Sequence, residues 1–436
     1  MNNIKKYFCN MDIKLVVFLL LVLACQPKKN TVIEKTNSQK VMHPRIFWTE
    51  NPANHAIISW TSLEDGAINK VYFDTISHEN KKVDSYPFFS DANSNGKITT
   101  RKDDLESGVP NAYFHHTDLT DLKEGTKYYY RFCSDSTFSP EYYFITSSKK
   151  SNELTFLYGG DSRSGEDDEE DKDPAIHSKR KAMNQLIATL VEQNPEIMAL
   201  VHGADYGMDA SWKSLYHWFN DHELTITKDG RVLPLIISRG NHDHEIGFTE
   251  NFRLGTVTER NSDGYYYKTQ FTDSIALITL NTETSMAGYQ YKWLKKELEK
   301  SRAANKWLLV QYHKPAYPAV KPFDREDFAR VRKYWVPLFE QFGIDLALES
   351  DGHSLKKTVP ILKNKPNPKG IIYIGEGGLG VPQRTPDSKR WYFKNGGHAS
   401  SNHHVWMLKF KNNVLKTSAI GIDNNVVLDF EIKSKK

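Results

Sequence analysis

At 436 residues, with 39% hydrophobic and 12% aromatic residues, the chain is long enough for two cores and too apolar to be disordered. A formal net charge of +4 is too small to call for nucleic acid as a partner.

Lys5, Lys6 and Lys14 precede an apolar run from Leu15 to Ala24, the length of a signal-peptide core and short of the roughly 20 residues that span a bilayer. Val22-Leu23-Ala24-Cys25 resembles a bacterial lipobox, which implies a signal peptide over residues 1–24 and an acylated Cys25 as the first mature residue. Residues 25–42 are polar and aperiodic and read as a flexible tether, so the expected location is a bacterial cell envelope, lipid-anchored to a membrane. With Cys9 removed and Cys25 acylated, Cys133 alone remains, no intrachain disulfide forms, and the cores hold the fold unaided.

Residues 43–149 show strands and turns without an amphipathic helix. Ala56 to Thr61, Lys70 to Asp74, Tyr128 to Cys133 and Glu141 to Thr146 are short, β-branched or aromatic, and predict a β-sandwich. Asp91-Ala-Asn-Ser-Asn-Gly-Lys-Ile98 has the oxygen ligands and central glycine of half an EF-hand loop, but Lys102 stands where a bidentate Glu is needed. An Asn-Gly turn between strands is the reading preferred to calcium.

From residue 153 to 436 strands alternate with helical patterns, so the second domain reads as α/β. Expected strands are Leu154 to Tyr158, Ile197 to His202, Leu233 to Ser238, Ser274 to Leu280, Trp307 to Tyr312, Ile344 to Leu348 and Gly370 to Gly375. Helical spacing runs over His177 to Gln193, Tyr289 to Ser301 and Asp327 to Phe342. Five strand ends deliver Asp161, Asp205, Asn241, His313, and the pair Asp351 and His353. Carboxylates, an amide and imidazoles on the carboxyl edge of one sheet are the ligand inventory of a two-metal site.

Asp161, Gly203-Ala-Asp205, Gly240-Asn-His-Asp243, His313-Lys-Pro315 and Ser350-Asp-Gly-His353, in that order, resemble the calcineurin-like metallophosphoesterases. Ile58 to Thr61 and His116 to Arg131 look like the fibronectin-type-III-like domain that precedes the catalytic domain of purple acid phosphatases, which narrows the resemblance to that branch. It implies an N-terminal β-sandwich followed by an α/β domain of layered sheets flanked by helices. It also implies one divalent metal ion on Asp161, Asp205 and His353, and a second on Asp205, Asn241, His313 and Asp351, with Asp205 bridging. A hydroxide held between the metals would attack phosphorus, His242 would protonate the leaving oxygen, and Asp243 would set the tautomer of His242. Arg163 is a candidate to grip substrate phosphate, or else to pair with the acidic run Glu166 to Asp173. That run reads as a solvated loop that would repel polyanions, so no nucleic-acid partner is expected.

Three positions depart from the family pattern. Ala204 stands in place of glycine before Asp205. Met208 occupies the position of the tyrosine ligand of purple enzymes, with Tyr206 two residues too early. Asp351 stands where a histidine ligand belongs. Losing a phenolate and gaining a carboxylate points away from purple ferric iron and, among Mn, Fe and Zn, toward Mn at neutral to alkaline pH. The expected activity is hydrolysis of phosphorylated small molecules, monoesters before diesters. The alternatives are a phosphodiesterase or nucleotidase using the same site, or a surface binding protein with an inactive phosphatase domain. Substrate choice falls to loops such as Asp209 to Lys213 and Pro318 to Phe328, and His398, His403 and His404 receive no role.

Overall fold

Every residue of the strand Leu154–Gly159 is buried, and its side chains alternate between two cores, Phe156 and Tyr158 on one side and Leu157 on the other. A strand apolar on both faces has to be covered on both. The structure is a computed structural model that describes residues 41–436 apart from 80, 164–176, 245, 255–264 and 412. The signal peptide, Cys25, nearly all of the tether and the acidic run lie outside the described residues.

Two sheets pack face to face. In the ten-stranded sheet Leu154–Gly159 runs parallel to Ile197–His202, which runs parallel to Leu235–Ile237. In the seven-stranded sheet Ile275–Thr279, Trp307–Tyr312, Leu346–Glu349 and Ile372–Gly375 are likewise parallel neighbours. Phe156, Val201, Ile236, Leu277, Leu309, Leu348 and Ile374 meet in the core between them. Their sequence neighbours point the other way. Leu157, Leu200 and Ile237 pack with the helices Ser178–Gln193 and Trp212–His222, while Ile278, Val310 and Ala347 pack with Gly288–Ala304 and Val336–Phe342. Period-2 alternation thus sorts each strand into an inner and an outer core.

The first domain is β-rich, and its strands occupy two sheets. Phe88–Asp91, Asn69–Asp74, Lys127–Ser134 and Tyr142–Ile145 belong to a five-stranded sheet. Val41–Phe47, Ala56–Ser62, Tyr113–Leu119 and Ser94–Lys97 extend the ten-stranded sheet, which crosses from the first domain into the second where Phe47 faces Leu235 in parallel. There the Trp48 N–H donates to the Leu235 carbonyl at 2.9 Å. The described residues from 41 to 436 form one compact unit. Cys133 is free and buried, a small core residue as expected.

Some expectations change. Asn95 and Gly96 are not a hairpin turn: they lie inside the strand Ser94–Lys97, opposite His115 and Phe114. The chain instead crosses from one sheet to the other around Ala92 and Asn93, and the Asp91 carboxylate pairs with Lys70 at 3.0 Å. The helix expected over Asp327 to Phe342 is two helices, Glu326–Tyr334 and Val336–Phe342, because Pro337 has no N–H to donate to the preceding turn. The strands Val41–Phe47, His404–Lys411, Val414–Gly421 and Val426–Lys433 and the helix Trp212–His222 were not among the elements expected.

Candidate metal centre

The parallel strands of both sheets end at one edge, and the residues just past them converge. One ligand atom from each of Asp161, Asp205 and His313 lies within 4.8 Å of the other two, and all three residues are buried. The Asp351 N–H donates to Asp161 Oδ2 at 3.0 Å, His353 Nε2 lies 3.4 Å from Asp161 Oδ1, and Asp351 Oδ1 lies 3.7 Å from His313 Nε2. Five of the six candidate ligands therefore form one contact network. Asn241 sits half-buried on the turn beside them, its main-chain carbonyl accepting from His244 Nδ1 at 3.0 Å.

The backbone is bent sharply to bring them in. Asp161, Ala204, Asp205, Asp351 and His353 have φ of 51°, 82°, 56°, 71° and 58°, in the left-handed region that side chains bearing a Cβ disfavour. Such strain costs about 1–3 kcal/mol per residue and persists where the surroundings over-determine it. Gly240 is needed for a different reason: a Cβ there would collide with Asp205 Oδ1 and press on His313 Nε2.

Hydrogen bonds fix the donors. His313 Nδ1–H donates to the Gly203 carbonyl at 2.9 Å, which turns Nε2 toward Asp205 Oδ2 at 3.3 Å. Burial opposes charge on this imidazole, but the carboxylates of Asp205, Asp161 and Asp351 outweigh it and hold its pKa well above the ordinary value. For Asp205 burial acts upward, yet the nearby charge of His313 wins and the carboxyl is held low. Positive charge is thus strongly favoured at this point. Asp161 Oδ1, His313 Nε2 and Asp351 Oδ2 are buried polar atoms without a hydrogen-bond partner. Two buried carboxylates and a buried imidazole with unpartnered donor atoms, beside the buried Asp205, fit divalent cations.

Residues 41–146 match the family described as purple acid phosphatase, N-terminal domain, and residues 176–356 match calcineurin-like phosphoesterase. The chain carries a calcineurin-like phosphoesterase domain behind a purple-acid-phosphatase-like N-terminal domain. It is similar to a purple acid phosphatase of Glycine max, 22% identical over 319 residues covering 69% of this chain and 62% of that protein. Purple acid phosphatase 1 of Ipomoea batatas is 24% identical over 318 residues, 69% of this chain and 61% of that one, so the chain spans about three-fifths of the length of these relatives. In fold it is similar to a purple acid phosphatase from yellow lupin (Lupinus luteus) seeds, with a TM-score of 0.69 at 16% identity over 91% of this chain and 74% of the other. PhoD gives a TM-score of 0.64 at 10% identity over 91% of each chain.

The structure describes the positions that the sequence analysis reads as departures from the family pattern. The Met208 carbonyl oxygen lies 2.5 Å from His242 Nδ1, and its sulfur accepts from Arg163 Nη1 at 3.3 Å. Arg163 is buried, and Tyr206 is also buried, with its hydroxyl on the Ser238 carbonyl at 3.1 Å. Asp243 does not orient His242. Its carboxylate accepts from the N–H groups of Gly240 and Asp205, each at 2.9 Å, and of Tyr206 at 3.3 Å, so it braces two ligand-bearing turns. Burial and the charge of Asp205 push this carboxyl up to about 8.

Three supports escape the sequence reading. His202, the last residue of its strand, accepts from the Ala204 N–H with Nδ1 at 3.2 Å and holds Ser162 Oγ with Nε2 at 2.9 Å. Burial and the charge of His222 lower its pKa to about 3, so it stays neutral. Beneath Gly352, between Asp351 and His353, the fully buried Lys356 bridges Glu349 at 2.5 Å and Glu376 at 2.8 Å. Lys321 reaches the site from a loop, with Nζ at 2.6 Å from Asp351 Oδ1.

Proposed function

We propose that the chain is a binuclear-metal phosphatase that hydrolyses phosphomonoesters, anchored to the cell envelope by lipid on Cys25. The observation that carries the chemistry is the convergence of Asp161, Asp205 and His313, with unpartnered buried donor atoms, beside a half-exposed His242. Asp161, Asp205 and His353 would hold one divalent ion, and Asp205, Asn241, His313 and Asp351 the other. Bound there, such ions supply Lewis acidity and activate water.

The chain's own residues do the rest. His242 Nδ1–H donates to Met208, so Nε2 is the nitrogen presented to the centre, 3.9 Å from Asp205 Oδ2. As water forms its bond to phosphorus and the ester P–O bond breaks, a proton on His242 Nε2 passes to the leaving alkoxide. Arg163, drawn against Met208, steadies the same wall of the site. The oxygen-rich donor set of Asp161, Asp205, Asn241 and Asp351 favours manganese over zinc.

Protein reconstituted with Mn²⁺ should cleave a chromogenic phosphomonoester faster than a chromogenic diester, and Asn241→Ala should lower metal occupancy. A faster diester rate would make the chain a phosphodiesterase, and inactivity on both esters at full occupancy would make it a binding protein. No helix among the described residues is long and apolar enough to cross a membrane. The anchor proposed here is the lipid on Cys25. Cys25→Ser should abolish lipid labelling and membrane partition, and unchanged labelling would remove the anchor.

A further inference from the structure

Lys321 belongs to no motif, yet its ammonium group is placed in the centre with care. Nζ lies 2.6 Å from Asp351 Oδ1, the oxygen that faces His313 Nε2 at 3.7 Å. The loop that carries it is fixed through its backbone. The Pro318 carbonyl accepts from Tyr392 OH at 2.6 Å and also from Arg390 Nη1. Arg390 Nη2 holds the carbonyls of Val320 at 3.1 Å and Lys321 at 2.9 Å. The Ala319 N–H donates to Glu376 Oε2 at 3.0 Å, and its carbonyl accepts from Asp387 N–H at 2.9 Å. Pro322 follows and removes a further backbone freedom.

The two members of this pair differ in access. The Lys321 side chain is 22% exposed, whereas Asp351 is 2% exposed. An ammonium that solvent reaches, resting on a carboxylate that solvent does not, is available to an incoming anion. Asp351 also has a second oxygen, Oδ2, without a hydrogen-bond partner, so its function as a donor does not require Lys321 to leave Oδ1.

We propose that Lys321 is a substrate-binding residue whose ammonium group, held ready on Asp351, takes a nonbridging oxygen of the substrate phosphoryl group and favours dianionic monoesters over monoanionic diesters. This rests on the phosphatase reading above. A lysine is a compact point charge, so its contribution grows with the charge on the phosphoryl group, and a monoester carries one charge more than a diester.

The test uses the Mn²⁺-loaded full chain, Lys321→Gln and Lys321→Arg, with inorganic phosphate as the probe. The glutamine side chain of the first variant keeps a donor for Asp351 and removes the charge, and the second variant keeps the charge. Lys321→Gln should retain two Mn²⁺ per chain while its Kd for phosphate rises tenfold or more. KM for a chromogenic monoester should rise with it, the monoester-to-diester ratio of kcat/KM should fall several-fold, and Lys321→Arg should recover most of the phosphate affinity. Phosphate affinity unchanged within twofold in Lys321→Gln would overturn the proposal, as would wild-type protein that takes up Mn²⁺ but no phosphate. Loss of Mn²⁺ with phosphate affinity per loaded site intact would reduce Lys321 to a balancer of Asp351 and also overturn it. Phosphate binding is read without turnover. A wild type that binds Mn²⁺ and phosphate through Lys321 but hydrolyses neither ester defeats the phosphatase reading and leaves the binding role standing.

Discussion

His242 Nδ1 lies 2.5 Å from the carbonyl oxygen of Met208, so the proton that sets the tautomer of this imidazole is held by main chain and not by a carboxylate. No side-chain substitution removes that acceptor, which makes His242 itself the point to test. His242→Ala should keep both metals and lose about 10²–10⁴-fold in rate on esters with poor leaving groups. The loss should shrink for a leaving group that needs no proton, measured as the slope of log kcat against leaving-group pKa. Equal losses across the series would remove the general-acid role.

Asp243 makes a contrasting prediction. Its carboxylate accepts three backbone N–H groups, and an amide in its place turns donors toward donors. Asp243→Asn should lower stability by about 1–3 kcal/mol in denaturant unfolding and weaken metal binding, while leaving the leaving-group slope unchanged. A changed slope would mean that Asp243 acts on His242 after all.

Metal removal should be visible in stability. Asp161, Asp205 and Asp351 are buried together, and a cation bound only in the folded state stabilises by mass action, about 2.7 kcal/mol at a hundred times Kd. Chelation should lower Tm, and added Mn²⁺ should restore it. The protein should be colourless with Mn²⁺. Asp351→His should shift preference toward zinc, read by elemental analysis and the visible spectrum, whereas a purple wild type with stoichiometric iron would contradict the assignment.

The fold should be acid-labile. Burial is the leading cause that lowers His43, His115, His116, His202 and His222 to about 3. Below pH 6.5 the unfolded chain takes up protons at these residues that the folded chain refuses. Their contribution is therefore complete above pH 6.5 and is lost as pH falls toward 3, at up to about 1.4 kcal/mol per unit for each histidine. Tm should drop steadily from pH 7 to pH 5 at constant ionic strength. A flat profile would show that these imidazoles are not held neutral.

Strand ends made the centre legible: a short apolar run followed by glycine and a ligand-capable residue marks both the element and its business end, as at Ile237 to Asp243. The candidate ligands came from the resemblance, by their order along the chain, and the structure brings five of the six into one contact network. The helix Trp212–His222 was missed although it carries sequence signals, with Ser211 as its N-cap and Trp212, Leu215, Tyr216 and Phe219 at helical spacing. The strand His404–Lys411, also missed, alternates in burial from Trp406 onward. Lys321 and the Met208 carbonyl were not legible. The first depends on how a loop is braced from residues some 70 positions away, at Arg390 and Tyr392, and the second on a backbone atom with no side-chain signature.

The crossing of the large sheet at Phe47 and Leu235 bears on how the chain divides. Leu235–Ile237 is only three residues long and leads into the turn that carries Gly240, Asn241 and His242. Remove the first domain, and this short strand becomes a raw border with unpaired N–H and C=O groups, open to pairing with another chain. The sandwich in front is therefore the selvedge of the larger sheet: it keeps the fabric from unravelling beside the candidate metal centre and keeps neighbouring molecules from stitching themselves on.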